Sequence, residues 1–388
     1  MSSKKFSLAI LGSTGSIGIT TLKIIKKYPN NFKINLLACN KNKKVIFKQI
    51  KEFLPKYVII HNKKNYNFFK KIKFKKKVNF FQNLKDFNKK KKIKFDKVVL
   101  GISSIDGLDY AFSFIKYSKE ILLANKETIV CGGKIFLSEA KSFNCKIKSI
   151  DSEHFSIYEI LKNENKNSIH TIYLTASGGP FLKKNKKYYK KINYKEALKH
   201  PKWKMGKKIS VDSATMANKV LELMEACFLF DINFKKIKIK IHTQSHVHAV
   251  IIFKNGLVKF IAHNTSMAIP IINCLISNDE INFKKNFFTN EHNLTLSFNE
   301  KALKKFRLIR AGYKALSFGH RACIVFNVIN DYLVNLYLNK KIFFYEIEHK
   351  LNKVIFDKKL SNYYKIKIKN KNDIFKTISF AKKIIQNN

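Results

Sequence analysis

The sequence predicts an α/β protein: a doubly wound first domain, an α+β second domain with a mostly separate sheet, and a helical C-terminal part. Three observations lead there. From Phe6 to Ile150, short apolar runs alternate with stretches of helical period, the pattern of βαβ units. From His170 to Ala262, apolar runs recur as strands of a second sheet. Lys301 to Asn388 is mainly helical, with a Lys/Asn-rich break near Lys358 to Asn372. A chain of 388 residues is also too long for one core. The expected boundaries are 1–150, 151–276, a polar linker over 277–300, and 301–388.

Composition narrows the function classes. The apolar fraction of 45% fits a globular protein. No run reaches the ~18 apolar residues of a membrane span. The chain enters its first strand almost at once, so no signal peptide is expected. Six scattered cysteines, without a C-x-x-C pair, suit free thiols in a reducing cytoplasm. The net charge of +51 would ordinarily point to nucleic acid or an anionic surface. Only Arg307, Arg310 and Arg321 among the 77 basic residues are arginine, however, and base readout leans on Arg. Lys, Asn, Ile, Phe and Tyr share AT-rich codons, so the lysine excess reads as codon bias on solvated faces. No specific nucleic-acid or membrane partner is expected.

Phe6 to Leu11 is the first strand. It runs into Gly12-Ser-Thr-Gly-Ser-Ile-Gly18 and a helix from Ile17 to about Tyr28, stopped by Pro29. A strand, a glycine turn and a helix form the setting of a dinucleotide fingerprint, with the helix N-terminus facing a pyrophosphate. The spacing G-x-x-G-x-x-G also suits a plain tight turn. The second strand, Lys33 to Ala38, ends in Cys39-Asn40-Lys41-Asn42. An acid there would hold a ribose 2′-hydroxyl; Lys41 between two amides suits a 2′-phosphate instead, which favours NADP. Tyr57–Ile60, Val78–Phe81, Lys97–Gly101 and Glu120–Ala124 read as further strands, with a helix over Leu108–Tyr117. Asn125-Lys126-Glu127 stands at a strand's carboxyl end, where open α/β sheets bind ligands. The strand Lys146–Ile150 delivers Asp151-Ser152-Glu153-His154. Those two carboxylates suit one divalent cation, or equally an N-cap with its capping Glu.

His170–Ala176 ends in Ser177-Gly178-Gly179-Pro180. From Ser177 to Lys208 apolar periodicity is weak until Trp203 and Met205; the stretch suits a lid, or a disordered insert. His200 to Glu225 is the anchor of the chain. Ile209–Val211 reads as a strand end, and Asp212 and Ser213 as N-caps of a helix on which Asn218 and Glu222 share a face. The helix start with Lys219 suits a phosphate, and Glu222 a hard cation. After it, Ile237–His242, His246–Phe253 and Leu257–Ala262 read as strands. His246 and His248 share a strand face, yet a lone H-x-H lacks its other ligands.

Five stretches together carry a resemblance: Gly12–Gly18, Leu122–Glu127, Asp151–His154, Ser177–Phe181, and His200–Lys219 with Glu222. They resemble the 1-deoxy-D-xylulose 5-phosphate reductoisomerase family over about the first 270 residues. The resemblance implies a Rossmann-like NADPH domain, a catalytic domain that also carries a homodimer interface, and a C-terminal α-helical bundle. It implies NADPH and Mn²⁺ or Mg²⁺ as cofactors and a sugar phosphate as substrate. Thr14, Gly15, Ser16 and Ile17 are expected at the pyrophosphate side of NADPH, and Asn40, Lys41 and Asn42 at its 2′-phosphate. Asn125, Glu127 and Gly206 complete that site. Asp151, Glu153 and Glu222 are the expected metal ligands. Ser177, Ser213, Asn218 and Lys219 are expected around the substrate phosphate, with His200 closing from the lid, and Lys126 and Ser152 at the carbonyl and hydroxyl end. Three departures from the family pattern stand out. Asn40 replaces Gly or Ala, Thr243 replaces a proline, and His320-Arg-Ala-Cys-Ile324 stands where an N-A-A-N-E helix signature is expected. Another NADP-dependent dehydrogenase is the rival reading, as is a basic binding protein that has lost activity.

Overall fold

A computed structural model describes residues 5–90, 93–203, 205–276, 281 and 295–386. The chain divides into two compact units: Met1–Asn125, Phe136–Asp151 and Met267–Ile281 form one, and Lys126–Ile135, Ser152–Ser266 and Asn282–Asn388 the other.

The first unit is built on seven parallel strands: β1 (Phe6–Leu11), β2 (Phe32–Cys39), β3 (Tyr57–Ile60), β4 (Asn79–Phe81), β5 (Phe95–Leu100), β6 (Ser118–Leu123) and β7 (Lys146–Ser149). Their order is β4-β3-β2-β1-β5-β6-β7. Val, Ile and Leu runs are buried on both faces, as a parallel sheet between helices requires. The crossovers are α1 (Ser16–Lys27), α2 (Lys43–Phe53), α3 (Lys63–Lys70), α4 (Leu84–Phe87), α5 (Asp106–Ile115) and α6 (Lys126–Ser142). The order reverses between β1 and β5, the switch point at which such sheets take ligands. There Gly12 has φ +83, and a Cβ on it would stand 2.8 Å from the Gly101 carbonyl carbon, so the turn needs glycine.

In the second unit α7 (Ser152–Leu161) leads to β8 (Ile169–Ala176), α8 (Tyr194–Ala197), α9 (Lys207–Thr215) and α10 (Ala217–Phe230). Strands β9 (Ile237–Ile241), β10 (Val247–Phe253) and β11 (Val258–Ala262) follow. The sheet order is β11-β10-β8-β9, with β8 and β9 parallel and the other pairs antiparallel. Its apolar face packs on α7 and α10 through Ile157, Ile172, Leu223 and Phe230. The next helix, α11 (Ala268–Leu275), belongs to the first unit, where Lys97 Nζ donates to the Cys274 carbonyl at 2.7 Å. The C-terminal helices are α12 (Arg307–Phe318), α13 (His320–Leu338), α14 (Phe344–Ile355), α15 (Ser361–Lys365) and α16 (Lys371–Gln386). Among these α13 is the buried centre, touched by α12, α14 and α16.

Most strand expectations agree with the structure to within one or two residues. The anchor stretch does not. Ile209–Val211 is helical, and Asp212 and Ser213 lie in the last turns of α9 rather than capping a helix start. Met216 then adopts the left-handed region (φ 65), and α10 begins at Ala217. The 358–372 break contains α15. Of the expected linker, 277–280 and 282–294 lie outside the described residues. Asn299 pairs with Ile241, so the end of that stretch extends the second sheet. The 177–208 stretch is packed: Phe181 and Tyr189 set their rings 5.2 and 5.7 Å from Phe344, and Lys305 Nζ donates to the carbonyls of Phe181, Leu182 and Lys184.

Candidate active site

In the first unit, the turns after β1 and β2 lie side by side because the two strands pair. Ser13 Oγ donates to Gln49 Oε1 at 2.9 Å and Gln49 Nε2 donates to the Ser13 carbonyl at 2.8 Å, which ties the Gly12–Gly15 turn to α2. Thr14, Gly15, Ser16 and Ile17 thus stand at the start of α1, the Gly15 amide donating back to the Gly12 carbonyl at 3.0 Å to close the turn, and a helix N-terminus of this kind suits an anion. Asn42 caps α2 by accepting from the Val45 amide, and Asn65 Nδ2 donates to the Lys41 carbonyl at 2.9 Å. Asn40 and Lys41 are exposed beside that cap. Asn125, two residues past β6, donates to the carbonyls of Ile102 and Ser104 in the loop after β5.

In the second unit, α7 and α10 bring the acid chemistry together. His154, fully buried, puts Nε2 2.9 Å from the Glu222 carbonyl and Nδ1 3.5 Å from Glu225 Oε2, binding one helix to the other. Glu153 stands in the first turn of α7 and Glu222 in the second turn of α10; their carboxylate oxygens lie within 4.8 Å of one another. Lys219 Nζ bridges them, 2.5 Å from Glu153 Oε1 and bonded to Glu222 Oε2. Asn218 Nδ2 donates to Glu222 Oε1 at 2.5 Å, and Lys126 Nζ is 3.6 Å from the same oxygen. Ser152 Oγ donates to Glu153 Oε2 at 2.6 Å. Glu222 is 1% exposed and Lys219 5%. Burial alone would lower the Lys219 pKa, but the two carboxylates outweigh it and hold the ammonium charged above its usual range. A half-buried and a buried carboxylate that clasp one cation form a donor set that fits a hard divalent ion. Asp151 is the residue before Ser152 and is itself buried.

The expected phosphate residues gather at the same helices. The Ser177-Gly178-Gly179 turn lies against the end of α9: a Cβ on Gly179 (φ +66) would stand 2.8 Å from the Ser213 carbonyl oxygen. Ser177 Oγ is 3.0 Å from His200 Nε2. His200 Nδ1 accepts from the amides of Lys202 and Trp203 at 3.1 and 2.9 Å, so the proton sits on Nε2 and points to Ser177. Burial first, and the Lys219 charge second, push the His200 pKa down to about 4. The ring is therefore neutral at pH 7.

The sequence reading overlooked a second buried charge cluster. Lys208 Nζ lies 2.8 Å from Glu127 Oε1, 2.8 Å from Asp212 Oδ2 and 3.8 Å from Asp331 Oδ1, while Asn330 Nδ2 donates to Asp212 Oδ1 at 2.8 Å. Burial raises the Glu127 pKa, and Lys208 more than reverses it, leaving Glu127 below the usual range and ionised. Gly206 starts α9 one residue before this stretch. The signal was in the sequence. His320–Ile324 is the first turn of α13, and an N-x-x-N-acid pattern follows seven residues on as Asn327-Val328-Ile329-Asn330-Asp331.

Comparisons with known proteins agree along the chain. Family models described as 1-deoxy-D-xylulose 5-phosphate reductoisomerase match residues 8–133, and its C-terminal domains match 147–230 and 263–384. The 1-deoxy-D-xylulose 5-phosphate reductoisomerase of Pelagibacter ubique is 40% identical over 375 residues, covering 95% of each chain. That of Clostridium tetani is 38% identical over 347 residues, covering 88% of this chain and 90% of the other. A crystal structure of a DOX-P reductoisomerase with NADPH, fosmidomycin and magnesium superposes with TM-score 0.88 at 31% identity over 98% of both chains. The Zymomonas mobilis enzyme with NADPH gives 0.86 at 26% identity over 97% of both.

Proposed function

The chain belongs to the 1-deoxy-D-xylulose 5-phosphate reductoisomerase family, and from that premise we propose how its own residues carry out the reaction. The family reaction is the NADPH- and divalent-metal-dependent rearrangement and reduction of 1-deoxy-D-xylulose 5-phosphate to 2-C-methyl-D-erythritol 4-phosphate, a step toward isoprenoid precursors. The observation that carries the reading is the pair of half-buried Glu153 and buried Glu222, bridged by the Lys219 ammonium.

Asp151, Glu153 and Glu222, whose ligand atoms lie within 4.8 Å of one another, would hold the Mn²⁺ or Mg²⁺. When bound, that ion supplies a Lewis acid that polarises the substrate ketone and a neighbouring hydroxyl. Lys126, beside Glu222, orients the carbonyl end and steadies negative charge there; Ser152 contacts the hydroxyl end. Lys219, bonded to Glu153 and Glu222, supplies the positive charge for the substrate phosphate. Ser177, Ser213 and Asn218 join it as donors, and neutral His200 donates through Nε2. Trp203 and Met205 exclude water from above, as a lid does. Thr14, Gly15, Ser16 and Ile17 cradle the NADPH pyrophosphate; Asn40, Lys41 and Asn42 take its 2′-phosphate; Asn125, Glu127 and Gly206 hold the nicotinamide side. We assign 1–150 to the cofactor, 151–276 to catalysis with 177–208 as its lid, and 301–388 to the helical support, with Lys126–Ile135 grouped in the second compact unit and Met267–Ile281 in the first.

Two further parts of the reading concern the setting. The protein works as a homodimer through the second sheet: β11 is an edge strand with Val258 and Phe260 exposed, next to exposed Leu257, and an apolar edge of this kind invites a partner strand. It works in the cytoplasm, where six unbridged cysteines are at home. No helix among the described residues is long and apolar enough to cross a membrane.

The test is NADPH oxidation with 1-deoxy-D-xylulose 5-phosphate, with Mn²⁺ or with EDTA. Turnover that requires substrate and metal, and returns when metal is restored, is expected. Metal-independent turnover, or none with the purified chain, would sink the assignment.

A further inference from the structure

The only tryptophan of the chain, Trp203, lies in the 177–208 stretch and is the outer member of a ladder of four rings. Its ring meets His248 of β10 edge-on, centroids 6.0 Å apart at 63°. His248 stacks flat on His263, just past β11, at 4.0 Å and 22°. His263 meets Phe155 of α7 edge-on at 6.3 Å and 61°. Phe155 lies two residues beyond Glu153 on the same helix. The ladder therefore runs from the lid stretch, across the second sheet, to the helix that carries the acid.

His263 is the rung whose described hydrogen bond goes only to backbone, with the Glu153 charge acting on it through space. Its Nδ1 lies 2.8 Å from the Asn264 carbonyl, so Nδ1 bears the proton. Nε2 is then a bare lone pair, buried and without a hydrogen-bond partner among the described residues, in a side chain 7% exposed. A buried acceptor left unmade is disfavoured. What the ring offers here is a flat π-face against His248. His200 meanwhile anchors the Trp203 amide from the other side. Backbone and ring of Trp203 are thus held by two different imidazoles.

We infer that His263 is a positioning residue for the lid: it keeps His248 flat, and His248 is the surface on which Trp203 docks. The inference rests on reading 177–208 as the lid of the site proposed above. It concerns His263 alone, which touches neither the bridging lysine nor the acids in the contacts described.

The experiment uses the full chain and two variants, His263→Ala and His263→Phe, each checked for native circular dichroism. Acrylamide quenching of Trp203 fluorescence reads docking directly, with no substrate and no turnover. The Ala variant should leave Trp203 more accessible, its quenching constant rising about twofold or more. The Phe variant, which restores a flat ring, should return to the parent value. In the assay, His263→Ala should raise KM for the sugar phosphate roughly two- to tenfold, the worth of one aromatic pair, with NADPH affinity unchanged. Unchanged quenching in the Ala variant overturns the inference. So does a Phe variant as exposed as the Ala variant, since the face is then not what matters. Should the chain have no activity on this substrate, the proposed function fails, and the quenching arm still decides the ladder.

Discussion

At the scale of single residues, Glu222 is the most exposed to test. It accepts from Asn218 and lies against buried Lys219, which it shares with Glu153, and half-buried Lys126. Glu222→Gln keeps the shape and removes the charge. Turnover is expected to fall at least about a hundredfold, while NADPH affinity, measured by fluorescence titration, stays within about threefold. Full activity in this variant would refute the assignment. Two histidines make a second prediction. Burial is the main cause holding His200 and His320 near pKa 4, against 6.5 in an unfolded chain. Between these values the unfolded chain binds protons that the folded one refuses, so stability rises with pH there. The contribution is complete above pH 6.5 and is lost as pH falls toward 4. The almost fully buried His320 is worth up to about 3 kcal/mol over that window, and His200, which is more exposed, contributes less because solvent screens it. Urea midpoints measured from pH 4 to 7 should follow this slope, and His320→Gln should flatten it. A slope unaltered by that change would mean other groups dominate.

At the scale of elements, the link between α6, α9 and α13 is one ammonium facing three carboxylates. Lys208→Met leaves buried Glu127 and Asp212, and half-buried Asp331, without this ammonium. A loss of about 3–5 kcal/mol in urea unfolding is expected, with Lys208→Arg costing much less. A cost near zero for Met would show that water or protonation satisfies the acids. The turn after β8 offers a finer probe. Gly179 needs positive φ and a close approach to the Ser213 carbonyl. Gly179→Ala should push Ser177 away from the end of α9, lowering kcat/KM at least about tenfold with little change in NADPH affinity. Retained kcat/KM would place the phosphate elsewhere.

At the scale of the whole molecule, 77 basic against 26 acidic residues make self-repulsion a large term. Salt should screen it. The urea midpoint is therefore expected to rise between roughly 0.01 and 0.5 M NaCl, the reverse of a protein held by surface ion pairs. A falling midpoint would show that the described pairs, such as Lys26–Glu52, outweigh the repulsion.

What the sequence determined by itself was whatever depends on neighbours along the chain. Alternating apolar runs located the strands of both sheets, because burial on a sheet face is a local property of composition and period. The spacing at Gly12–Gly18 and Asp151–Glu153 left a plain turn and a capping pair open, and the roles of those residues and of Asn218–Glu222 came from the five motifs taken together as a family resemblance. Tertiary structure decided the rest. Ile209–Val211 is three apolar residues long, too short for its period to tell strand from helix, and packing of α9 on α13 made it helical. No composition rule places Met216, rather than a glycine, in the left-handed region that ends α9. Lys208 finds Glu127 and Asp331 only when residues 81 and 123 positions away fold beside it, and the same holds for Lys219 and Glu153, 66 positions apart. Charge partners so distant in sequence leave no periodic trace. Their pairing is set by which helices the core brings together, and only the folded chain contains that information.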